Sequence, residues 1–515
     1  MGNHLFNLVR ARMPAPDAPF ALLDDGRRYA YADMLDVSSR FANALVALGV
    51  QPGDRVAVQV EKSIEALMLY LGAVRAGAIF LPLNTAYTPA EIEYFLGDAQ
   101  PAVFVCDPAK AKALKSYADK AGAKLETLGV WRSPDLSAGT LSDKALAAST
   151  AFADVERGAD DLAAILYTSG TTGRSKGAML SHDNLASNAL ALVDFWRFSK
   201  NDVLLHALPI FHTHGLFVAT NCVLFSGASM ILLPKFDPDQ VFKHLPQATC
   251  MMGVPTFYVR LLQDARLTKE ATQHMRLFVS GSAPLLAETH REWRERTGHA
   301  ILERYGMTET NMNTSNPYEG ERVAGTVGYP LPGVSARVVD PETGKGLAAD
   351  EIGMIEVKGP NVFKGYWRNP EKTAAEFKPD GFFITGDLGK IDAAGYVHIV
   401  GRGKDLIITG GYNVYPKEVE TEIDEMHGVI ESAVIGCPHR DFGEGVTAVV
   451  VVKPGATITA ASIAQTLEQR LAKFKLPKQV FIVDDLPRNT MGKVQKNLLR
   501  EQYKDIYAEK GRAGA

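Results

Sequence analysis

Two stretches of this 515-residue chain carry the residue types that handle phosphate. The first, YTSGTTGRSKGAMLSH, runs from Tyr167 to His182 and gathers the hydroxyls of Ser169, Thr171, Thr172 and Ser175, the glycines Gly170, Gly173 and Gly177, and the ammonium of Lys176. Glycines let a backbone turn and expose its N–H groups, so such a loop can wrap a polyphosphate. No G-x-x-x-x-G-K-[ST] can be laid on it, which excludes a Walker A loop. The second stretch, ILERYGMTET from Ile301 to Thr310, joins a tight glycine turn to a hydroxyl, Thr308, and a carboxylate, Glu309. That pairing suits phosphate and a hard metal ion. Arg304 stands directly in front of it, and a guanidinium there either helps the nucleotide or reads something else.

These residues need a scaffold, and the apolar pattern supplies one. Short Val/Ile/Leu runs such as RVAVQV (55–60), AIFLPL (78–83) and AVFVC (102–106) alternate with helical stretches, including one from Ser63 and one that opens on the capping box Thr88-Pro89-Ala90-Glu91. This is the rhythm of a parallel α/β sheet. The first phosphate-type loop follows the strand-like LAAIL directly. After about residue 330 glycine and proline become frequent and the strands shorter and more antiparallel. From about Lys404 a further unit shows its own strands (DLIIT, SAVIG, AVVVV, QVFIV) and two helices. The expected fold is α/β: a large N-terminal domain of packed α/β sheets plus a β-rich subdomain, with a small mobile α+β C-terminal domain. Residues 1–402 and 403–515 are the expected division.

Composition narrows the function class. With 46% hydrophobic and 22% charged residues and a formal net charge of −4, the chain has the balance of a globular enzyme acting on small molecules, with no call for nucleic acid. The cysteines, Cys106, Cys222, Cys250 and Cys437, lack the spacing of a zinc site or redox pair. The first residues lack a signal-peptide core, and the most apolar region, 204–234, is interrupted by histidines, prolines and glycines, so the expectation is a cytoplasmic protein without a membrane span.

Five motifs then occur in a fixed order: YTSGTTGRSKG, ERYGMTE, GFFITGDLG, GRGKDLIITGGYNVYPKEVE and PRNTMGKVQK. Together they resemble the signatures of the adenylate-forming superfamily of acyl-CoA synthetases, peptide-synthetase adenylation domains and luciferases, across essentially the whole chain. The resemblance implies a two-step reaction that uses ATP, Mg²⁺ and coenzyme A. A carboxylate attacks the α-phosphate of ATP, and the thiol of coenzyme A then displaces AMP. It implies that Thr168, Ser169, Gly170, Thr171, Thr172, Gly173 and Lys176 hold the β- and γ-phosphates, and that Tyr305 and Thr308 serve the nucleotide. Glu309 binds Mg²⁺, Asp387 accepts from the ribose hydroxyls, and Arg402 reaches that ribose from the far side. Lys493 neutralises charge in the adenylation step alone, so the C-terminal domain has to rotate about Lys404, eased by Gly401 and Gly403. Gly410 and Gly411 then line the pantetheine tunnel. Lys475 and Lys478 are charge-based candidates for the coenzyme A phosphates.

The acid is a separate question, because a fold names a reaction class and not a substrate. Superfamily members that take fatty or aryl acids generally carry a small or apolar residue where this chain has Arg304, whose planar fork fits a second carboxylate. Arg304, His212 and Ser282 together resemble the pocket of malonyl-CoA synthetases, with His214 a weaker candidate. The resemblance implies malonate or a near dicarboxylate such as methylmalonate. Alternatives are oxalate, succinate or a monocarboxylate with Arg304 paired to Glu303, a non-catalytic nucleotide-binding scaffold, and an adenylation domain serving a carrier protein. Acetylation of Lys493, by a lysine acetyltransferase and reversed by a deacetylase, would remove the charge that the first step needs.

Overall fold

The strand-and-helix alternation builds two sheets that share a buried helical layer. In the computed structural model, which describes residues 2–130, 138–168, 175–409, 412–439, 442–471, 473–489 and 492–507, one sheet has six strands. Their spatial order is Lys124–Thr127, Val103–Cys106, Arg55–Gln59, Ile79–Pro82, Leu162–Thr168 and Lys176–Ser181. The first five are parallel and the last is antiparallel. The second sheet has nine strands. At its centre Pro19–Leu23, Ser229–Leu232, Val203–His206, Cys250–Gly253, Leu277–Ser280 and Leu302–Met307 run parallel. Helix Ile64–Arg75 has every residue buried, as a helix without a polar face must, and Ser63 caps it by accepting from Ala66 N at 3.1 Å.

A four-stranded antiparallel sheet follows, Ser335–Val339, Gly353–Lys358, Phe383–Ile391 and Val397–Arg402. The C-terminal part has its own five-stranded sheet, built on the long hairpin Val429–His439 and Gly443–Val452. Helices Pro416–Asp424 and Ala460–Glu468 cover one side of it around Val419, Ile423, Ile463 and Leu467. Helix Lys496–Gln502 brings Leu499 to a second cluster with Ile435, Val449 and Leu486. Two clusters of its own give this part a core independent of the larger one. No helix among the described residues is long and apolar enough to cross a membrane.

Two arrangements position the site and are not visible in local sequence. The first phosphate-type loop does not lead into a helix; it closes an antiparallel hairpin, with Thr168 paired to Lys176 across its base. Residues 361–367 then stitch this hairpin to the second motif. Met179 N donates to Gly365 O at 3.0 Å, Lys364 N to Met179 O at 2.8 Å, and Trp367 N to Gly177 O at 2.7 Å. At the other end Phe363 N donates to Glu309 O at 2.8 Å. Asn184 fastens the seam: its Nδ2 donates to Pro360 O at 2.7 Å and Val362 O at 2.9 Å, while its Oδ1 accepts from Ser181 N at 2.8 Å. Removing this amide leaves the Val362 carbonyl and the Ser181 N–H in the interior, and the part-buried Pro360 carbonyl, without that partner. Asn184→Ala should therefore cost about 2 kcal/mol of stability, seen as an earlier transition in thermal melting; unchanged melting would mean that the seam does not depend on this side chain.

Candidate functional site

The nucleotide side is assembled from the hairpin, the turn at 308–310 and the four-stranded sheet. Ser169, Gly170, Thr171, Thr172 and Gly173 lie outside the described residues, but both ends of their loop are anchored. Tyr94 donates its hydroxyl to Ser175 O at 2.7 Å, and the Tyr167 hydroxyl donates to Asp98. Lys176 Nζ stands 4.9 Å from the centre of the Tyr366 ring. The Tyr366 hydroxyl lies 3.1 Å from Glu309 Oε1 and 2.6 Å from Glu376 Oε2. Thr308 is half-buried and opens the turn between strands Leu302–Met307 and Asn311–Ser315, so Glu309 sits in a β-turn rather than at a helix start.

Burial raises the Glu309 carboxyl above its usual range against the opposing help of Tyr366 and Arg402. One hydroxyl proton cannot serve Glu309 and Glu376 together. A hard cation brought by phosphate oxygens fits a buried carboxylate so placed, since Mg²⁺ takes one or two protein carboxylates and completes its shell with phosphate and water.

Asp387 and Arg402 face each other across adjacent strands. Arg402 Nε pairs with Asp387 Oδ1 at 2.7 Å, and Tyr305 donates its hydroxyl to Asp387 Oδ2. Arg402 therefore stands directly beside Asp387. The two grips orient the carboxylate and leave lone pairs on each oxygen for further donors. Lys493 enters from the C-terminal domain on a tight loop: its N–H donates to Asn489 Oδ1 at 3.0 Å, and Arg488 Nη1 donates to Gly492 O at 2.7 Å. The side chain keeps solvent contact in the cleft. Enclosure by protein, then the nearby Arg402 and Arg304, pull its ammonium down to about 8, with Asp387 and Glu309 acting in the opposite sense.

The candidate acid side is a buried guanidinium with no counter-ion among the described residues. Arg304 is only 4% exposed, its Nε and Nη2 are enclosed with no hydrogen-bond partner, and burial pulls it down to about 9, still charged at neutral pH. Adjacent strand residues face opposite sides, and Glu303, which the sequence offered as a partner, is turned away to accept from Gly325 N at 3.3 Å. Burial pushes Glu303 up to about 8. The Arg304–Glu303 pairing is thus absent. Gly281 makes the room: a Cβ there would lie 2.3 Å from Arg304 Cζ.

The other pocket candidates converge on this guanidinium. Ser282, in left-handed backbone at φ 71°, has its hydroxyl 3.2 Å from His214 Nδ1. His212 Nδ1 accepts from His214 N at 3.2 Å. Burial first, then Lys493 and Arg304, pull His212 down to about 3, and burial with Arg304 pulls His214 well below its usual range. Both rings are neutral. With Nδ1 occupied as an acceptor, the His212 proton sits on Nε2, ready to donate to an anion.

Lys404 is exposed in a short 3₁₀ turn, Gly403–Asp405, between Arg402 and the C-terminal sheet. Gly401 and Gly403 have ordinary backbone angles, and no atom comes closer than 3.4 Å to a Cβ at either. Gly410 and Gly411 lie outside the described residues. Lys475 pairs with Glu418 at 2.5 Å and Lys478 stands 3.8 Å above the Phe442 ring, so both charge-based phosphate candidates already have protein partners. Sequence reasoning missed Tyr366, Glu376 and Gly281, since none belongs to a motif read for chemistry.

Comparison with known proteins gives the family. The family described as AMP-binding enzyme matches residues 10–367, and the AMP-binding enzyme C-terminal domain matches residues 418–493. A malonate–CoA ligase of Arabidopsis thaliana is 33% identical, over 93% of this chain and 86% of that protein. ATP-bound MatB from Rhodopseudomonas palustris is 67% identical, with a TM-score of 0.96 over 98% of this chain and 100% of that one. The apo form of MatB, equally identical and with the same coverage, superimposes at 0.85.

The isolation of Glu303 has a measurable consequence. The folded protein binds its proton up to about pH 8, whereas an unfolded glutamate releases it near pH 4.3. Stability therefore declines as pH rises between these two values. Glu303→Gln, which mimics the protonated form, should gain on wild type progressively from about pH 5 to about pH 8 in melting temperature. A glutamine variant that becomes less stable than wild type at the alkaline end would restore the ion pair with Arg304.

Proposed function

The chain belongs to the AMP-binding enzyme family, and from that premise we propose that it joins malonate to coenzyme A through a malonyl-adenylate, releasing pyrophosphate and then AMP. The observation that carries the acid assignment is Arg304, a buried cation whose Nε and Nη2 have no partner among the described residues. Such a group is costly unless a ligand completes it. The distal carboxylate of a short dicarboxylate does so bidentately, and methylmalonate adds only one methyl.

With the distal carboxylate on Arg304, the neutral Nε2–H of His212 and the Ser282 hydroxyl orient the acid. An oxygen of the reacting carboxylate attacks the α-phosphorus, and the bond to the β-phosphate oxygen breaks. Lys176 and the 168–173 loop hold the departing pyrophosphate. Thr308 donates to the α-phosphate, Asp387, oriented by Tyr305, accepts from the ribose hydroxyls that Arg402 also reaches, and Glu309 would hold Mg²⁺, which would supply positive charge to the phosphates. Lys493 neutralises negative charge around the α-phosphate in this half-reaction; these donors act by electrostatic preorganisation.

In the second half-reaction the thiolate of coenzyme A attacks the acyl carbonyl and AMP leaves. Lys493 occupies the approach, so the domain 403–515 rotates against 1–402 about Lys404, and Gly410 and Gly411 line the path for pantetheine. The closer match to ATP-bound than to apo MatB supports a change of arrangement with nucleotide. Acetylation of Lys493, whose side chain is exposed, would switch off the first half-reaction by an acetyltransferase and restore it by a deacetylase. The four described cysteines are free and buried, as in a reducing compartment, and the cytoplasm is the proposed location.

ATP–pyrophosphate exchange over acetate, hexanoate, oxalate, malonate, methylmalonate and succinate tests the assignment. Malonate or methylmalonate should lead, and Arg304→Leu should lose roughly 10²-fold in kcat/KM for it; equal exchange across the panel would sink the dicarboxylate reading. Lys493→Ala should abolish adenylate formation while thioester formation from supplied malonyl-adenylate proceeds. Equal loss of both halves would contradict the rotation.

A further inference from the structure

Beside the pocket histidines the chain departs from α-helical geometry. His214–Thr220 form a π-helical turn before Asn221–Ser226 continue as α-helix, an arrangement frequent at functional sites. Two side chains meet the Gly215 carbonyl in this turn: His206 Nε2 at 2.9 Å and Thr220 Oγ1 at 3.0 Å. The turn is pressed against the segment following His206, since a Cβ on Gly215 would lie 2.0 Å from Pro209 O.

His206 is held in turn by Lys62. Lys62 Nζ lies 3.0 Å from His206 Nδ1 and donates to His206 O at 2.8 Å. Both side chains are buried, and no carboxylate pairs with Lys62 among the described residues. The chemistry fixes the proton positions. A carbonyl only accepts, so His206 carries its proton on Nε2 and donates it to Gly215 O. Nδ1 then presents its lone pair, which Lys62 fills as donor. Deleting Lys62 would leave Nδ1 and the His206 carbonyl without their donor and so loosen the ring that grips Gly215.

We infer that Lys62 and His206 are positioning residues of the acid pocket: they clamp the π-turn at Gly215 and so set where His212 and His214 stand relative to Arg304 and Ser282. The inference rests on the acid-binding reading of that pocket. It assigns a role to a buried lysine that contacts no reacting group, and it makes the pocket depend on a segment more than a hundred residues away in sequence.

His206→Gln keeps a donor for Gly215 and an acceptor for Lys62, while His206→Leu keeps the volume alone. Steady-state kinetics with the acid that wild type activates best give KM for acid and for ATP separately. A failure of the malonate assignment would therefore appear in wild type, and a failure of the clamp only in the variants. His206→Leu should raise the acid KM at least roughly ten-fold with the ATP KM within about two-fold, and His206→Gln should restore most of that loss. Lys62→Met should behave like His206→Leu, and it carries the comparison should the leucine variant not fold. An unchanged acid KM, an ATP KM rising in step with it, or equal loss in the glutamine and leucine variants would overturn the inference.

Discussion

An arginine side chain that is enclosed, charged and unpaired sets the terms for the rest of this structure. Folding leaves two donors of Arg304 without a partner among the described residues, a state that a protein avoids unless a ligand is to complete it. Its neighbours keep it so. Gly281 yields the space that the guanidinium occupies, strand alternation turns Glu303 to the opposite face, and His212 and His214 are held neutral, so they neither repel it nor neutralise it.

The same hairpin carries both instruments of the site. Arg304 lies on one strand, and Thr308 and Glu309 lie in the turn that ends it, five residues or fewer away. The proposed acid and phosphate contacts are therefore referred to one piece of backbone. Residues 361–367 extend that reference to the phosphate loop through main-chain bonds, and the ion pair Asp387–Arg402 extends it to the last strand before the C-terminal domain. Positioning to within a fraction of an ångström is what such a reaction requires of its scaffold.

Much of this was legible in the sequence where the information is local. The alternation of strand and helix, the caps at Ser63 and Thr88, and the change of texture after residue 330 each depend on residues within a few positions of one another. The family follows from five short motifs for the same reason. The isolation of Arg304 was not legible, because it depends on the face that Glu303 takes and on a glycine 23 residues earlier. Tyr366 meets Glu309 across 57 positions and Lys62 meets His206 across 144; nothing in either local pattern marks the partner. The hairpin form of the phosphate loop was missed because an apolar run after a glycine-rich loop reads alike as strand or helix until its pairing is known.

The central claim is a charge–charge contact between Arg304 and the distal carboxylate of the acid. Its most direct test is a cycle in which the protein and the substrate each lose one partner. Adenylation of malonate is compared with that of its half-amide, malonamate, by wild type and by Arg304→Met. The account predicts a wild-type preference for malonate of roughly ten- to a hundred-fold in kcat/KM that collapses toward unity in the variant. A preference of the same size in both proteins would show that Arg304 does not read the second carboxylate.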